Sequence, residues 1–178
     1  MISEKNKRGI SGVNGNETLQ KDLYNIKQWA LKWKMEFNVN KCEVMYLGRS
    51  NSKHANTMGG VQLAETTHER DLGVIVDDSL EFEKHIKEIV NKANRMLGLI
   101  RIGFACMDKD IFMNLYPVLV RPLLEYFVQV WSPYKKKYIN IIESVQCRAT
   151  KLIPGLKNLP YEERLTKLGL TTLEERRK

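Results

Sequence analysis

The second half of the sequence contains a long apolar stretch, MDKDIFMNLYPVLVRPLLEYFVQVW, which ends at Trp131. A helix that is apolar nearly all round must be covered by other parts of the protein. The stretch therefore predicts the buried central helix of a bundle, beginning at an Asp108 cap and bent or interrupted at Pro117 and Pro122. Such a helix needs several amphipathic partners, so much of the remaining chain should be helical.

Amphipathic helices are predicted on both sides of this stretch. Apolar residues at helical spacing predict one helix from Leu19 to about Met35 and a long one after the acidic pair Asp77–Asp78. Later segments predict three more helices, the second of which ends at Gly169. Helix caps are expected at Asp78 or Ser79 with Glu81, at Ser132, and at Thr171 with Glu174.

Short strands are predicted between the first helix and the long second one. The segments CEVMYLG and VQLA and residues 72–76 are rich in β-branched and apolar side chains. The fold class that follows is α+β and mostly helical, with a small antiparallel sheet followed by a helical bundle. We expect a flexible lead-in over 1–17, a helix with the small sheet over 18–77, and a helical part over 78–178.

The positive charge is concentrated late in the chain. The formal net charge is +8, with 15 basic against 13 acidic residues in 1–100 and 14 against 8 in 101–178. A basic surface suits a polyanion such as nucleic acid, but it equally suits plain solubility. The same two readings, phosphate contacts or a solvated helical face, apply to the basic residues Lys135, Lys136, Lys137, Arg148 and Lys151.

The most suggestive acidic pair is Asp77–Asp78, which directly follows an apolar run. Polymerases place adjacent aspartates after such a strand to hold two divalent metals, but a second strand should then follow at once. Here a helix is predicted next, so we favour a strand-to-helix turn. His54, His68 and His85 have no nucleophile at a suitable spacing and are expected to be exposed. No metal site and no self-contained catalytic site is predicted.

Cysteine spacing and hydropathy indicate the cellular setting. Cys42, Cys106 and Cys147 are widely separated and have no histidine at ligand spacing, which predicts neither a disulfide framework nor a zinc site. The first residues lack the apolar core of a signal peptide, and no segment approaches about 18 consecutive apolar residues. We therefore expect an intracellular protein, nuclear or cytoplasmic, without membrane association.

Six segments together resemble a known family, because they occur there in the same order and at matching spacing. The family is the reverse transcriptases of animal non-LTR retrotransposons (LINEs) of the jockey-like kind, and the resemblance covers nearly all of 19–178. The segments are LQKDLYNIKQWALKWKMEFNVNKCEVMYLG, RDLGVIVDDSLEF, NKANRMLGLI, LYPVLVRPLLEYFVQVWSP, IESVQCRATKLI and LPYEERLTKLGLTTLEERR.

The resemblance implies that this chain corresponds to the end of a polymerase palm, the thumb and the start of the region after it. Lys41 matches the palm lysine that acts as a general acid near the leaving pyrophosphate. The backbone around Leu72 and Gly73 matches the primer grip, a hairpin near the primer end. The helices from Asp78 onward match the thumb, whose implied partner is an RNA/DNA template-primer duplex.

The resemblance also limits the activity that we expect. The intact family enzyme uses Mg²⁺ held by aspartates of a Y-A-D-D turn and one further aspartate, and this sequence contains no match to either motif. We therefore predict no cofactor in this chain and no polymerase activity by the chain alone. The leading interpretation is a polymerase fragment with residual nucleic-acid binding. The alternatives are a helical protein-interaction module, able to self-associate through exposed core surface, and a functionless relic of a retroelement.

Overall fold

The computed structural model describes residues 13–48, 51, 53–104 and 106–177. The chain divides after His68 into two compact units, residues 1–68 and 69–178. Helices predominate, and the strands are short and paired two by two. The mostly helical α+β class predicted from the sequence is confirmed.

The first unit begins with helix α1, Val13–Lys32. Residues 13–17, predicted as part of a flexible lead-in, are therefore helical, and residues 1–12 lie outside the described part of the chain. Extending an existing helix fixes only one residue per hydrogen bond, so a helix that has formed grows readily into a polar stretch. Trp29 and Trp33 on α1 are 46% and 62% exposed, so the helix leaves aromatic surface uncovered within this unit.

Short strands follow α1 in the first unit. β1 (Glu43–Val44) pairs with β4 (Ala64–Glu65) in parallel, and β2 (Thr57–Met58) pairs with β3 (Val61–Gln62) in antiparallel. The Gln20 side chain anchors α1 to β2, because its amide nitrogen donates to the Thr57 carbonyl at 2.8 Å and its oxygen accepts from the Thr57 amide at 2.9 Å. The Gln20 side chain thus satisfies the two backbone groups of Thr57 that a neighbouring strand would otherwise bond.

The second unit begins within a two-stranded hairpin, whose first residue, His68, is the last residue of the first unit. β5 is His68–Asp71 and β6 is Val74–Asp77, and the two strands pair with each other. Because only two residues connect them, the strands must be antiparallel. Leu72 was predicted to begin a strand but lies in the turn. Val74 is buried, so the hairpin contributes to the core of the helical unit.

Helix α2, Glu83–Gly103, begins later than the sequence predicted. Neither Asp78 nor Ser79 caps it. Instead, the Asp77 carboxylate accepts from the Ser79 hydroxyl at 2.6 Å and from the Glu81 amide at 3.0 Å. These two bonds stabilise a turn before the helix, in which Leu80 and Phe82 have positive φ. The strand-to-helix turn is confirmed, but Asp77 rather than Asp78 organises it.

The long apolar stretch forms a series of short helices. These are α3 (Lys109–Leu115), a π-helical turn (Tyr116–Val120), α4 (Arg121–Glu125) and α5 (Val128–Trp131). The predicted Asp108 cap is confirmed by its bond to the Ile111 amide at 2.8 Å. Pro117 and Pro122 lack the N–H groups that an α-helix would use here, which explains the π-helical turn, and the positive φ of Phe127 separates α4 from α5.

The prediction that this stretch is buried all round is wrong. One face, which includes Phe112, Tyr116, Val120 and Leu124, is at most 2% exposed and lies in the core with α2 and later helices. The interruptions turn the other face to the surface of this unit. Five apolar side chains are 38–67% exposed there: Val118, Leu119, Tyr126, Phe127 and Val130.

Three further helices complete the second unit. They are α6 (Lys136–Thr150), α7 (Tyr161–Leu168) and α8 (Leu173–Arg176). The Ser132 cap is wrong, because α6 begins only at Lys136 with Lys135 at the N-cap position, and Ser132 instead ends α5, where its amide donates to the Val128 carbonyl at 2.9 Å. The predicted end of α7 at Gly169 is confirmed. The capping box of α8 is formed by Thr172 and Glu175, one residue beyond the predicted pair.

A buried amide ties these helices together. Gln146 on α6 is 1% exposed. Its oxygen accepts from the Tyr116 hydroxyl at 2.7 Å, and its nitrogen donates to the Tyr161 hydroxyl at 3.0 Å and to the Thr171 carbonyl at 2.9 Å. One side chain therefore satisfies polar groups on three other elements of the core.

Candidate nucleic-acid interface

Lys41 ends a 3-10 turn over Val39–Lys41 in the first unit. The turn forms because its two closing amides, those of Lys41 and Cys42, bond the Asn38 and Val39 carbonyls at 2.9 and 3.0 Å. The Lys41 side chain is exposed. A surface ammonium just before β1 is accessible to an anionic ligand, and the role of Lys41 as a general acid stays a prediction.

Leu72 and Gly73 form the tip of the β5–β6 hairpin. Their φ angles are 48° and 85°, the pattern of a tight turn with two left-handed residues, which favours glycine or asparagine. Leu72 adopts it at a cost of about 1 kcal/mol or more and leaves its side chain 69% exposed. Neither the exposed apolar side chain nor the strained backbone of Leu72 stabilises the fold, and both suit a residue that contacts a partner.

Two contacts with α2 hold the base of the hairpin. Arg70 on β5 forms a salt bridge of 2.5 Å with Glu88, and hydrogen bonding to Arg70 and then to Lys92 lowers the pKa of Glu88 to about 2. The Ile75 amide on β6 donates to His85 Nδ1 at 3.4 Å. His85, predicted to be exposed, is only 3% exposed because its ring packs against Trp131, with the ring centroids 5.1 Å apart.

The buried position of His85 predicts acid sensitivity. Burial lowers its pKa below the usual 6.5, Arg70 and Lys92 act in the same direction, and Glu88 opposes them. At acidic pH the unfolded chain therefore binds a proton that the folded chain resists. The stabilisation is complete above pH 6.5 and should fall as the pH drops below it, by at most about 1.4 kcal/mol per pH unit.

This dependence is measurable by urea unfolding across the acidic range, with His85→Asn as the comparison. The asparagine oxygen can accept from the Ile75 amide without titrating. The variant should show a shallower pH dependence than the wild type, since the exposed His54 and His68 are common to both. Parallel curves for the two proteins would contradict the assignment.

The predicted lysine cluster at the start of α6 is partly neutralised. Lys135 forms an ion pair with Glu81, which lowers the pKa of Glu81 and raises that of Lys135. Lys137 lies 3.8 Å from Glu83 and 4.4 Å from the centre of the Tyr138 ring. Lys136 is exposed and has no salt bridge within the described residues. The cluster therefore presents less positive charge than its sequence indicates.

Arg148 and Lys151 lie at the opposite end of α6, about 18 and about 22 Å from Lys136 by helical rise. The five predicted basic residues therefore form two sites and not one. Both residues are exposed, and neither forms a salt bridge within the described part of the chain, although Arg148 donates to the Ser144 hydroxyl at 3.3 Å.

A third basic surface lies on α2 and escaped the sequence prediction. Arg95 and Arg101 are exposed on its second half, and neither forms a salt bridge among the described residues. The segment IVNKANRMLGLIRIGFACM, residues 89–107, contains three basic residues and no aspartate or glutamate. That absence of acids was the available signal, because it leaves Arg95 and Arg101 without a nearby acid in sequence, whereas Lys92 pairs with Glu88 just before the segment.

The described residues do not fit a metal centre. No group of three or more histidine, cysteine, aspartate or glutamate side chains in the described ranges is placed to hold a metal ion. Of the acidic pair, Asp77 accepts hydrogen bonds from the Ser79 hydroxyl and the Glu81 amide. No described helix is long and apolar enough to cross a membrane.

Comparison with known proteins identifies several relatives. The RNA-directed DNA polymerase from mobile element jockey of Drosophila funebris is 28% identical over 147 residues, which cover 80% of this chain and 16% of that protein. The probable RNA-directed DNA polymerase from transposon X-element of Drosophila melanogaster is 22% identical over 141 residues, 77% of this chain and 16% of that protein. An uncharacterized protein of Caenorhabditis elegans is 28% identical over 110 residues, 60% of this chain and 56% of that protein.

The chain thus spans about a sixth of the length of the polymerases that it matches. No protein-family model matches it. No solved structure matches it. The relatives confirm the resemblance to polymerases of non-LTR mobile elements that the six sequence segments predicted.

Proposed function

We propose that this chain, a relative of one segment of the RNA-directed DNA polymerases of jockey-like mobile elements, binds the RNA/DNA duplex of a template and its primer. The observation that carries the proposal is the set of exposed basic side chains that have no salt bridge within the described part of the second unit. They include Arg95, Arg101, Lys136, Arg148 and Lys151.

Such residues suit phosphate contacts for an electrostatic reason. A side chain already paired with a carboxylate gains little from a phosphate, because it must give up or share its first partner. An unpaired exposed arginine or lysine releases counterions from the nucleic acid and gains the full electrostatic benefit. Contacts of this kind fix the position of a duplex without reading its sequence.

The hairpin tip and Lys41 have separate roles in this proposal. Leu72 and Gly73 would approach the primer end, where the strained turn brings backbone close to the partner. In a whole polymerase, Lys41 would donate a proton to the leaving group. Mg²⁺ would supply electrostatic stabilisation of phosphoryl transfer there, but no described residues fit it, and we expect the 178-residue chain alone to bind without catalysing DNA synthesis.

The test is binding of the full chain to a fluorescein-labelled RNA/DNA primer-template duplex, followed by anisotropy at several salt concentrations. If about six phosphates are bound, affinity should fall roughly 10³-fold between about 50 and 200 mM salt. The double variant Arg148→Gln/Lys151→Gln should bind more weakly and reduce the salt slope by about 0.9 for each phosphate that is no longer neutralised.

The matched control is Lys21→Gln/Lys32→Gln, which removes two exposed lysines from α1. It should bind like the wild type. Binding that is absent, or that does not respond to salt, would overturn the proposal. Equal losses of affinity in the two double variants would show a nonspecific effect of net charge.

A second function, self-association, is favoured by the exposed apolar face of the α3–α5 segment. Val118, Tyr126, Phe127 and Val130 are 43–67% exposed on that face, and exposed apolar surface of this kind often marks an interaction site. Sedimentation of the chain over a range of concentrations distinguishes the two functions, because only self-association gives a mass that increases with protein concentration.

A further inference from the structure

Tyr126 lies against the hairpin tip from the helical side. Its hydroxyl donates to the Leu72 carbonyl at 3.2 Å. Its ring covers Gly73, since a Cβ added to that glycine would lie 3.3 Å from Tyr126 Cε1. The tip of the hairpin therefore rests on one aromatic side chain by both a hydrogen bond and packing.

The backbone of Tyr126 is in turn bonded to a buried tryptophan. The indole nitrogen of Trp131 donates to the Tyr126 carbonyl at 2.7 Å, and Trp131 is only 1% exposed. The next residue, Phe127, has a φ of 53°, which breaks the chain between α4 and α5. The break places Tyr126 at a corner of the backbone, and the bond from Trp131 fixes that corner to the core.

The same tryptophan reaches the hairpin by a second route. Its ring packs against His85, with centroids 5.1 Å apart, and His85 Nδ1 accepts from the Ile75 amide on β6 at 3.4 Å. One route thus connects Trp131 to the tip through Tyr126, and the other connects Trp131 to β6 through His85. Together they close a ring of contacts around the hairpin.

We propose that Tyr126, Trp131 and His85 form a brace that positions the hairpin tip for the duplex. The brace rests on the proposed function, since it gives the tip a fixed orientation toward the primer end. An isolated two-stranded hairpin is marginally stable and would sample many orientations. The three side chains are positioning residues that act through the backbone of Leu72, Gly73 and Ile75.

The test is Tyr126→Phe in the full chain, which removes the hydroxyl and keeps the ring. Amide hydrogen exchange should become faster at the turn and β6, while exchange in α6 stays unchanged. Affinity for the labelled RNA/DNA duplex should fall about fivefold, the effect of removing one hydrogen bond. The matched control is Tyr24→Phe on α1, where the tyrosine is 62% exposed, and it should change neither measurement.

The two measurements separate the brace from the proposed function. If the wild type does not bind the duplex, the proposed function fails, whatever the exchange data show. If the wild type binds and Tyr126→Phe leaves hairpin exchange unchanged, the brace is wrong. If exchange becomes faster but affinity is unchanged, the brace only stabilises the fold, and the positioning role is overturned.

Discussion

Replacing Gln146 with leucine is expected to lower the free energy of unfolding of the second unit by about 3 kcal/mol. The leucine would fit the space but would leave the Tyr116 hydroxyl and the Thr171 carbonyl without their bonds to Gln146. Burial raises the pKa of Tyr116, so its hydroxyl remains protonated and needs an acceptor, whereas the Tyr161 hydroxyl still donates to Glu143 in the variant. Urea unfolding followed by circular dichroism measures the decrease.

The control for this prediction is Gln129→Leu, the same substitution at an exposed residue of α5. A surface change of this kind should alter stability by no more than about 0.5 kcal/mol. If Gln146→Leu is as stable as Gln129→Leu, the buried amide does not hold the helices together. A gain in stability would show that an apolar core is better than the polar one.

Replacing Trp131 with alanine should have a still larger effect, a decrease in stability of about 3–5 kcal/mol. The side chain is 1% exposed, and its removal leaves a cavity between His85 and the chain break after α4. It also removes the indole N–H that donates a hydrogen bond to the Tyr126 carbonyl. Hydrogen exchange of α2 and α6 amides under native conditions measures the change for this unit alone.

The matched control is Trp33→Ala in the first unit. Trp33 is 62% exposed, so the same substitution removes little buried surface there. The α2 and α6 amides should exchange at the wild-type rate in this variant. Equal protection of those amides in Trp131→Ala and in the wild type would contradict the central place of Trp131 in the core.

The contacts between side chains far apart in the sequence are the features that the sequence predicted least well. Lys135 and Lys137 read as part of a free basic cluster, but Glu81 and Glu83, more than 50 positions earlier, partly neutralise them. His85 read as an exposed residue of a charged helix face, but a tryptophan 46 positions later covers it. Periodicity describes one helix at a time and carries no information about which side chain another element brings to it.

Cap predictions failed for a related reason. Ser132 has the right chemistry for an N-cap, but α6 begins only at Lys136, and Ser132 instead lies at the end of α5. Asp77, next to the predicted Asp78, takes the bonds that stabilise the turn before α2. Side chains of one type at neighbouring positions compete for the same backbone groups, and small differences in chain direction decide between them.

The sequence by itself determined the helical character of the chain, the Asp108 cap, the end of α7 at Gly169 and the relationship to mobile-element polymerases. These depend on local propensity and on residue order, which a chain carries in any conformation. Only the tertiary structure decided that one face of the apolar stretch lies at the surface of its unit, that Gln146 is the polar centre of the core, and that Tyr126 supports the hairpin tip. Each of these depends on contacts between residues far apart in the chain, and such contacts exist only once packing has fixed their distance.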